Sequence, residues 1–300
     1  MGIADLDMKK EFAYYNKVAP KKTAAVLGKK FTYRYYKNPD PKVNATMVML
    51  AGGTGLGDAF SVLARKFIDR YSLINFNYPM GFKNNAKTAD AIAELIKKLG
   101  AENVYLWGQS YGGALAQIIA KRHPDVVKGL ILTSTASMSN DLKFSGMKCL
   151  VDMFGKEKEK KDISFYKKLP MSLLTPIMNL AFKKHLKNDP AAQAVIREIL
   201  EQVKPDMTRE YFCHMTRLLG DLREHLGTHR KEDFDFLKGR VLIIEPDDDK
   251  TFTDDVKQEL VRMMPDPEVV HELKGGHLAM LFDIDGFLDI INSFMDRQAL

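Results

Sequence analysis

An α/β protein is predicted, with a mainly parallel sheet and helices on both faces, and three observations predict it. Strand-like and helix-like segments alternate from residue 22 to about 138. The strand pattern returns at Gly239, and the stretch between, 139 to about 235, keeps a helical period with no convincing strand. Alternation of this kind builds a parallel sheet covered on both sides. An all-helical block set between two parts of one sheet is how a lid or cap reads in sequence. The expected organisation is an α/β core of residues 1–138 and 236–300, with a helical cap inserted at 139–235.

In chain order, Thr23 to Val26 and Phe31 to Tyr36 flank Gly28-Lys29-Lys30 and read as a β-hairpin. Ala45 to Leu50 is a short apolar run that ends in glycines, as a buried strand would. Ser72 to Tyr78, Asn103 to Trp107 and Gly129 to Thr133 are further strands. Between them, Ile92, Leu95, Ile96 and Leu99 set a helical period over Thr88 to Leu99, and Gly100 supplies the stop. Ala114 to Lys121 makes a second helix. Pro170, Pro176, Pro190 and Pro205 are expected to cut the insertion into short helices. Beyond it, Val241 to Glu245 and Glu268 to Leu273 are strands, and Asp254 to Met264 and Ile284 to Met295 are helices.

The composition narrows the class. The chain has 300 residues, 45% hydrophobic and 28% charged, which is ordinary for a globular protein large enough to carry an insertion. No apolar stretch reaches the ~20 residues that a bilayer span needs, so no stable membrane insertion is expected. Met1-Gly2-Ile3-Ala4-Asp5 shows no basic region leading into an apolar run, and Leu6 stands where myristoylation of Gly2 would need Ser or Thr. With two cysteines, Cys149 and Cys213, a cytoplasmic location with reduced thiols is expected. The net charge of +6 is mild. The densest basic run, Lys156 to Lys161, alternates with Glu157 and Glu159, as a solvated helix face does, and no nucleic-acid partner is expected.

Chemistry concentrates in four places. Gly108-Gln109-Ser110-Tyr111-Gly112 satisfies G-x-S-x-G between a strand and a helix. So tight a turn strains the serine backbone, and side chains two residues to either side would collide, so glycine is needed at both flanks. The hydroxyl then stands at a helix N-terminus, where free amides favour developing negative charge. Acyl transfer also needs amide donors for an oxyanion, one from Tyr111 and a second from the loop Ala51-Gly52-Gly53-Thr54-Gly55. That loop matches neither G-x-G-x-x-G nor a phosphate loop. The base is best sought at Gly275-Gly276-His277, after the last strand, where two glycines let an imidazole reach back to the serine. His123 reads as a helix end. His225 and His229 are four apart but straddle Gly227 and lack the H-E-x-x-H pattern, so no metal is expected. The acid follows Val241 to Glu245, among Asp247, Asp248 and Asp249, which lack calcium-loop spacing.

On these motifs the chain resembles the α/β-hydrolase family, whose chain order is Ser…Asp…His. The likeness covers most of residues 22–138 and 239–298. Family members often carry His-Gly-x-x-Gly in the first loop, and here Ala51 occupies the histidine place. The resemblance implies Gly53 as second oxyanion donor, with Thr54 in reserve. It also implies an aspartate three residues after a glycine that follows the strand. Pro246 stands at that glycine position, which points to Asp249, with Asp248 selected by a one-residue shift. The implied activity is two-step acyl transfer, with Ser110 as nucleophile, His277 as base and Asp249 orienting it, and no cofactor. Carboxylic ester hydrolysis is the default, while amidase, thioesterase, peptidase and carbon–carbon hydrolase chemistry share the triad. Epoxide hydrolase and dehalogenase chemistry would need a carboxylate in place of Ser110.

Two further readings stand beside it. A fainter likeness to maspardin-like proteins, in Phe60 and Tyr78-Pro79, implies a ligand-binding or adaptor protein on the same fold. The cap stretch Met171 to Met178 is apolar, with Lys183 and Lys184 behind it, and suits a pocket wall or a lipid-facing surface. As a wall, Met171, Leu174 and Met178 would favour a small-molecule substrate with an apolar acyl group.

Overall fold

A two-residue turn starts the sheet. Strands β1 (Lys22–Val26) and β2 (Lys29–Tyr36) pair antiparallel with Val26 opposite Lys29, leaving Leu27 and Gly28 as the loop. Both have positive φ, +45° and +73°, as a turn matching the right-handed strand twist requires. Lys29 and Lys30, expected in the turn, therefore belong to the strand. The computed structural model describes residues 5–185 and 190–298. The readings at Met1 to Ala4, and the side chains of Lys183 and Lys184, lie outside the described residues.

The sheet continues with β3 (Thr46–Leu50), β4 (Ser72–Asn75), β5 (Val104–Gln109), β6 (Gly129–Thr133), β7 (Val241–Ile244) and β8 (Glu268–Val270). Its order is β1-β2-β4-β3-β5-β6-β7-β8, with β2 antiparallel to β4 and every later pairing parallel. Every residue of β3 to β7 is buried, as the near-continuous apolar runs of a doubly covered sheet require. β4 ends at Asn75, short of Tyr78, because the chain there turns away to other partners. The Asn75 amide donates to the Gly57 carbonyl at 3.1 Å, and the Tyr78 hydroxyl donates to the Ala51 carbonyl at 2.8 Å. β8 likewise stops at Val270 and releases the chain toward the glycine pair before His277.

Helices cover both faces. α1 (Met8–Val18) was not signalled by the sheet pattern, yet Met8, Phe12 and Tyr15 form one buried stripe and Asp7 caps it by accepting from the Lys10 amide at 3.2 Å. α2 (Ser61–Phe67) follows β3. α3 (Asn85–Lys98) begins three residues before the expected Thr88, capped by Asn84, and stops before Gly100, whose φ is +60°. α4 (Tyr111–Arg122) springs directly from β5. α10 (Asp254–Met263) follows β7, and α11 (Ala279–Phe282) and α12 (Ile284–Gln298) close the described chain. Trp107, fully buried on β5, packs between Phe67 of α2 and Phe287 of α12, ring centres 5.6 and 5.4 Å away. The next residue, Gly108, faces the opposite side, against the α4 backbone at Gly112 and Gly113.

Between β6 and β7 run α5 (Phe144–Phe154), α6 (Lys156–Lys168), α7 (Leu174–His185), α8 (Pro190–Val203) and α9 (Arg209–Asp221). Pro190 starts α8, where a missing N–H costs nothing, but Pro176 does not divide the segment. It sits in the first turn of α7, the turn whose amides have no helical acceptor in any case. The two ends of this stretch meet. Ser139 and His229 form a parallel bridge, with the His229 amide donating to the Met138 carbonyl at 3.1 Å and Asn140 donating to His229 at 2.8 Å.

Candidate active site

Ser110 stands between β5 and α4 with φ +54° and ψ −118°, outside the comfortable region for any residue with a Cβ. The elbow is held from several sides. The Ser110 amide donates to the Thr133 carbonyl at 2.9 Å, and the Thr135 hydroxyl donates to the Ser110 carbonyl at 2.6 Å. A Cβ on Gly108 would strike the α4 backbone, and one on Gly112 would strike the Leu50 and Ala51 carbonyls. A Cβ on Gly113 would meet the Thr135 side chain at 2.6 Å, so α4 can lie this close to the chain leaving β6 only with glycine there.

The register of β3 against β5 sets Leu50 beside Gly108, so the loop after β3 lies next to the elbow. That loop turns at Gly52, whose carbonyl accepts from the Gly55 amide at 2.8 Å. Gly53 is the exposed residue inside the turn and lines the same cavity as Ser110. The Tyr111 amide opens α4 and has no intrahelical acceptor by position. The Tyr111 ring is fully lodged in the core. Its hydroxyl donates to Asn85 at 2.7 Å, its face packs edge-on with Tyr78 at 5.3 Å, and burial raises its pKa well above the ordinary 10.0. Phe60 and Tyr78, singled out in the sequence, thus buttress the elbow: Phe60 packs on Trp107 at 4.9 Å, and Tyr78 holds the Ala51 carbonyl.

Parallel pairing of β6, β7 and β8 brings the loops after β7 and β8 to the same end of the sheet. There His277 Nδ1 lies 2.9 Å from Asp249 Oδ2. The Asp249 carboxylate is 1% exposed, and its other oxygen accepts from the Thr251 amide at 2.8 Å. Burial alone would push this carboxyl up, but its bonds to His277 and Thr251 and the imidazole charge outweigh that and hold it well below the ordinary 3.8. The neighbouring Asp248 does something else. Its two oxygens accept from the Gly275 and Gly276 amides, each at 3.0 Å, clamping the turn that carries His277. Both glycines have positive φ, +124° and +59°. Asp247 points outward, 3.7 Å from His271. The His277 carbonyl accepts from Gln109 at 3.3 Å, which ties this loop to the elbow. No hydrogen bond joins the Ser110 hydroxyl to His277 here. Both residues line one cavity.

Behind Asp249 lies a group that sequence reasoning passed over. Glu245, at the end of β7, is 2% exposed, and neither carboxyl oxygen has a hydrogen-bond partner. Lys257 Nζ stands 3.4 Å away, but its own hydrogen bond goes to the Asp249 carbonyl at 2.6 Å. Burial pushes the Glu245 pKa from 4.5 up to about 7, partly opposed by Lys257 and helped by the Asp249 charge. Because the folded value lies above the unfolded one, this contribution to stability is complete below pH 4.5 and is lost as pH rises through about 7. It amounts to about 3 kcal/mol. Melting curves should therefore show wild type losing ground to Glu245→Gln between about pH 5 and about pH 8. Parallel pH profiles for the two proteins would mean that Glu245 stays charged in the fold.

The cavity over Ser110 has a volume of about 460 Å³. Its walls are mostly apolar, with Phe60, Leu63, Ile196, Ile199, Met215 and Leu219 among them, and α6 adds Tyr166 and Asp162. Asp162 is paired with Lys158. Of the three residues expected to wall a pocket, Met178 lines it, whereas Leu174 is buried and Met171 half-buried beside it without reaching the cavity. A site beyond the carboxyl ends of parallel strands, where β4 and β5 depart to opposite sides of β3, is where open α/β sheets bind ligands.

Comparison with known proteins agrees with this architecture. Residues 46–161 match the family model described as the alpha/beta hydrolase fold. A thermophilic esterase from Thermogutta terrifontis superposes with a TM-score of 0.70 over 93% of this chain and 99% of its own, at 15% identity. The enol-lactonase from Burkholderia xenovorans LB400 gives 0.69 over 92% and 100%, at 16% identity. An esterase from Exiguobacterium antarcticum gives 0.67 over 92% and 99%, at 18% identity. At such identities the structural likeness is one of fold. The chain has the α/β-hydrolase fold, and its residues 46–161 match that family's model. Among the described residues no helix is long and apolar enough to cross a membrane.

Proposed function

We propose that this protein is a serine hydrolase that cleaves a carboxylic ester, or a related acyl bond, through an acyl-enzyme on Ser110. The observation that carries the reading is the 2.9 Å contact between His277 Nδ1 and the buried Asp249 carboxylate, at the rim of the cavity that Ser110 also lines. With Nδ1–H donating its hydrogen bond to the Asp249 carboxylate, Nε2 keeps its lone pair and can take the serine proton. Ser110 Oγ attacks the substrate carbonyl carbon, and the Gly53 and Tyr111 amides receive the oxyanion. The carbon–oxygen bond to the alcohol then breaks as His277 returns the proton to the leaving oxygen. Water, deprotonated in turn by His277, resolves the acyl-enzyme. Serine–histidine hydrogen bonds are often long before substrate arrives, which fits the geometry here. Residues 139–235 act as the cap, with α6 to α9 roofing the cavity.

A fluorophosphonate probe tests the reading. Wild type should label and turn over a simple aryl ester, and Ser110→Ala should do neither. A wild type that binds ester analogues but never labels would instead be a ligand-binding protein on this fold. Within the hydrolase reading, the apolar cavity predicts preference for uncharged apolar acyl groups over charged ones. Narrowing the cavity with Met178→Trp should shift the optimum among aryl esters to shorter chains by about tenfold in relative kcat/KM. Leu174→Val, off the cavity wall, should leave that ranking alone. Equal shifts from both would remove Met178 as a selectivity determinant.

A further inference from the structure

Of the nine large apolar side chains that stand exposed among the described residues, six fall within residues 144–180. Four belong to two successive helices and the turn between them: Phe165, Leu173, Ile177 and Leu180, with 48%, 49%, 38% and 61% exposure. Their spacing makes them stripes. Leu173, Ile177 and Leu180 follow one another at helical intervals on one side of α7 and its preceding turn, while Leu174 and Met178 on the other side are buried or line the cavity. α6 is built alike. Glu159, Asp162 and Tyr166 face inward, where Glu159 pairs with Arg223 and Tyr166 stacks on Phe212 at 5.3 Å. The outward stripe is Lys161, Phe165 and Lys168. Over its described side chains α7 is thus apolar on both sides with only one of them covered by described residues, which an isolated globular fold does not require.

The charge falls in the same place. Residues 139–185 hold ten lysines against five carboxylates, so this stretch supplies +5 of the chain's net +6. Lys148, Lys158 and Lys160 are paired within their own helices, to Asp152, Asp162 and Glu157. Among the described residues no carboxylate pairs with Lys161, Lys167 or Lys168, which flank Phe165. We propose that the outer face of α6 and α7 docks on an anionic lipid surface, with the apolar stripe entering the acyl boundary and the lysines meeting the headgroups. Exposed aliphatic and aromatic side chains rimmed by free lysines suit that occupant in both chemistry and sign. A second copy of the chain would bring the same positive excess face to face with itself. The helices that dock are the ones whose inner sides wall the cavity, so an amphiphilic ligand would leave the lipid beside its pocket.

Co-sedimentation with phosphatidylcholine vesicles, with and without phosphatidylglycerol, tests the proposal on the whole chain. Binding should be about tenfold or more tighter to the anionic vesicles and should weaken with salt. The double variant Ile177→Asp with Leu180→Asp should lose binding, and so should the triple variant Lys161→Glu, Lys167→Glu and Lys168→Glu. Both variants should keep wild-type turnover of a soluble short-chain ester and a wild-type melting curve. No recruitment, equal recruitment to neutral vesicles, or a wild-type dimer that the double variant dissolves would each overturn it. Recruitment is read without catalysis, so a chain that docks yet fails to label with fluorophosphonate would sink the hydrolase reading alone.

Discussion

Ser110→Ala is expected to lower ester turnover by on the order of 10⁴-fold or more while leaving the fold standing. The change removes one hydroxyl from a residue whose backbone is held by the Thr133 carbonyl, the Thr135 hydroxyl and the start of α4, none of which contacts that hydroxyl. Alanine keeps a Cβ and so keeps the positive-φ strain. Ser110→Gly removes it, and should melt at a higher temperature than Ser110→Ala by the equivalent of about 1 kcal/mol, with equally little turnover. His277→Ala should lose nearly as much activity, because a serine without its base is a poor nucleophile at neutral pH. If Ser110→Ala kept a tenth of wild-type turnover, or melted far below it, the nucleophile would have to be sought elsewhere in the cavity.

Asp249→Asn should cost about 10⁴-fold in kcat, and Asp248→Asn only about tenfold. The two carboxylates are adjacent in sequence and opposite in task. Asp249 accepts the hydrogen bond from the imidazole Nδ1–H at 2.9 Å, and an amide there can present N–H to Nδ1 and trap the wrong tautomer. Asp248 accepts from two backbone amides, Gly275 and Gly276, and asparagine retains one acceptor oxygen for them. Its loss should loosen the His277 turn without inverting the ring's chemistry. Asp249 also carries an acid-side signature. Since its folded pKa is depressed, its contribution to stability is present above the ordinary carboxylate value and fades as pH falls through the lowered one. Equal kinetic losses in the two variants at matched stability would dissolve the distinction.

How much of this was legible depends on the residue. The strands of the parallel core were plain because their burial on both faces leaves apolar runs bounded by Gly and Asn. The elbow was plain because Gly108 and Gly112 are sterically required, and a steric requirement leaves an invariant trace in sequence. Asp249 came from a family spacing, and composition alone could not have separated it from two identical neighbours. The clamp made by Asp248 depends on where the β8 loop returns, which no local pattern encodes. α1 could have been read from Asp7 followed by Met8, Phe12 and Tyr15, but its partners, α2 and α8, are far along the chain. Glu245 looked like the polar end of a strand, and only the sheet's covering made it buried. Pro176 misled because a proline signals a break only beyond the first turn.

The bridge between Ser139 and His229 bears on how such a protein can change. A segment that leaves and re-enters a scaffold at adjoining points imposes no end-to-end distance on what lies between, so its length and content can vary with little penalty to the sheet. The loops that carry Gly53, Ser110, Asp249 and His277 hang from β3, β5, β7 and β8, all outside that gate. Along the chain, everything α5 to α9 contribute, to the cavity wall on one side and to the exposed lysine-rimmed face on the other, is joined to the sheet through that one bridge. In space α9 also reaches the core, where the Tyr211 hydroxyl donates to the Gly55 carbonyl at 2.6 Å. The two ends thus leave the insertion's length free, but a foreign helical block grafted between these residues would have to replace the Tyr211 hydroxyl that holds the Gly55 carbonyl, or the glycine loop beside Ser110 would shift with it.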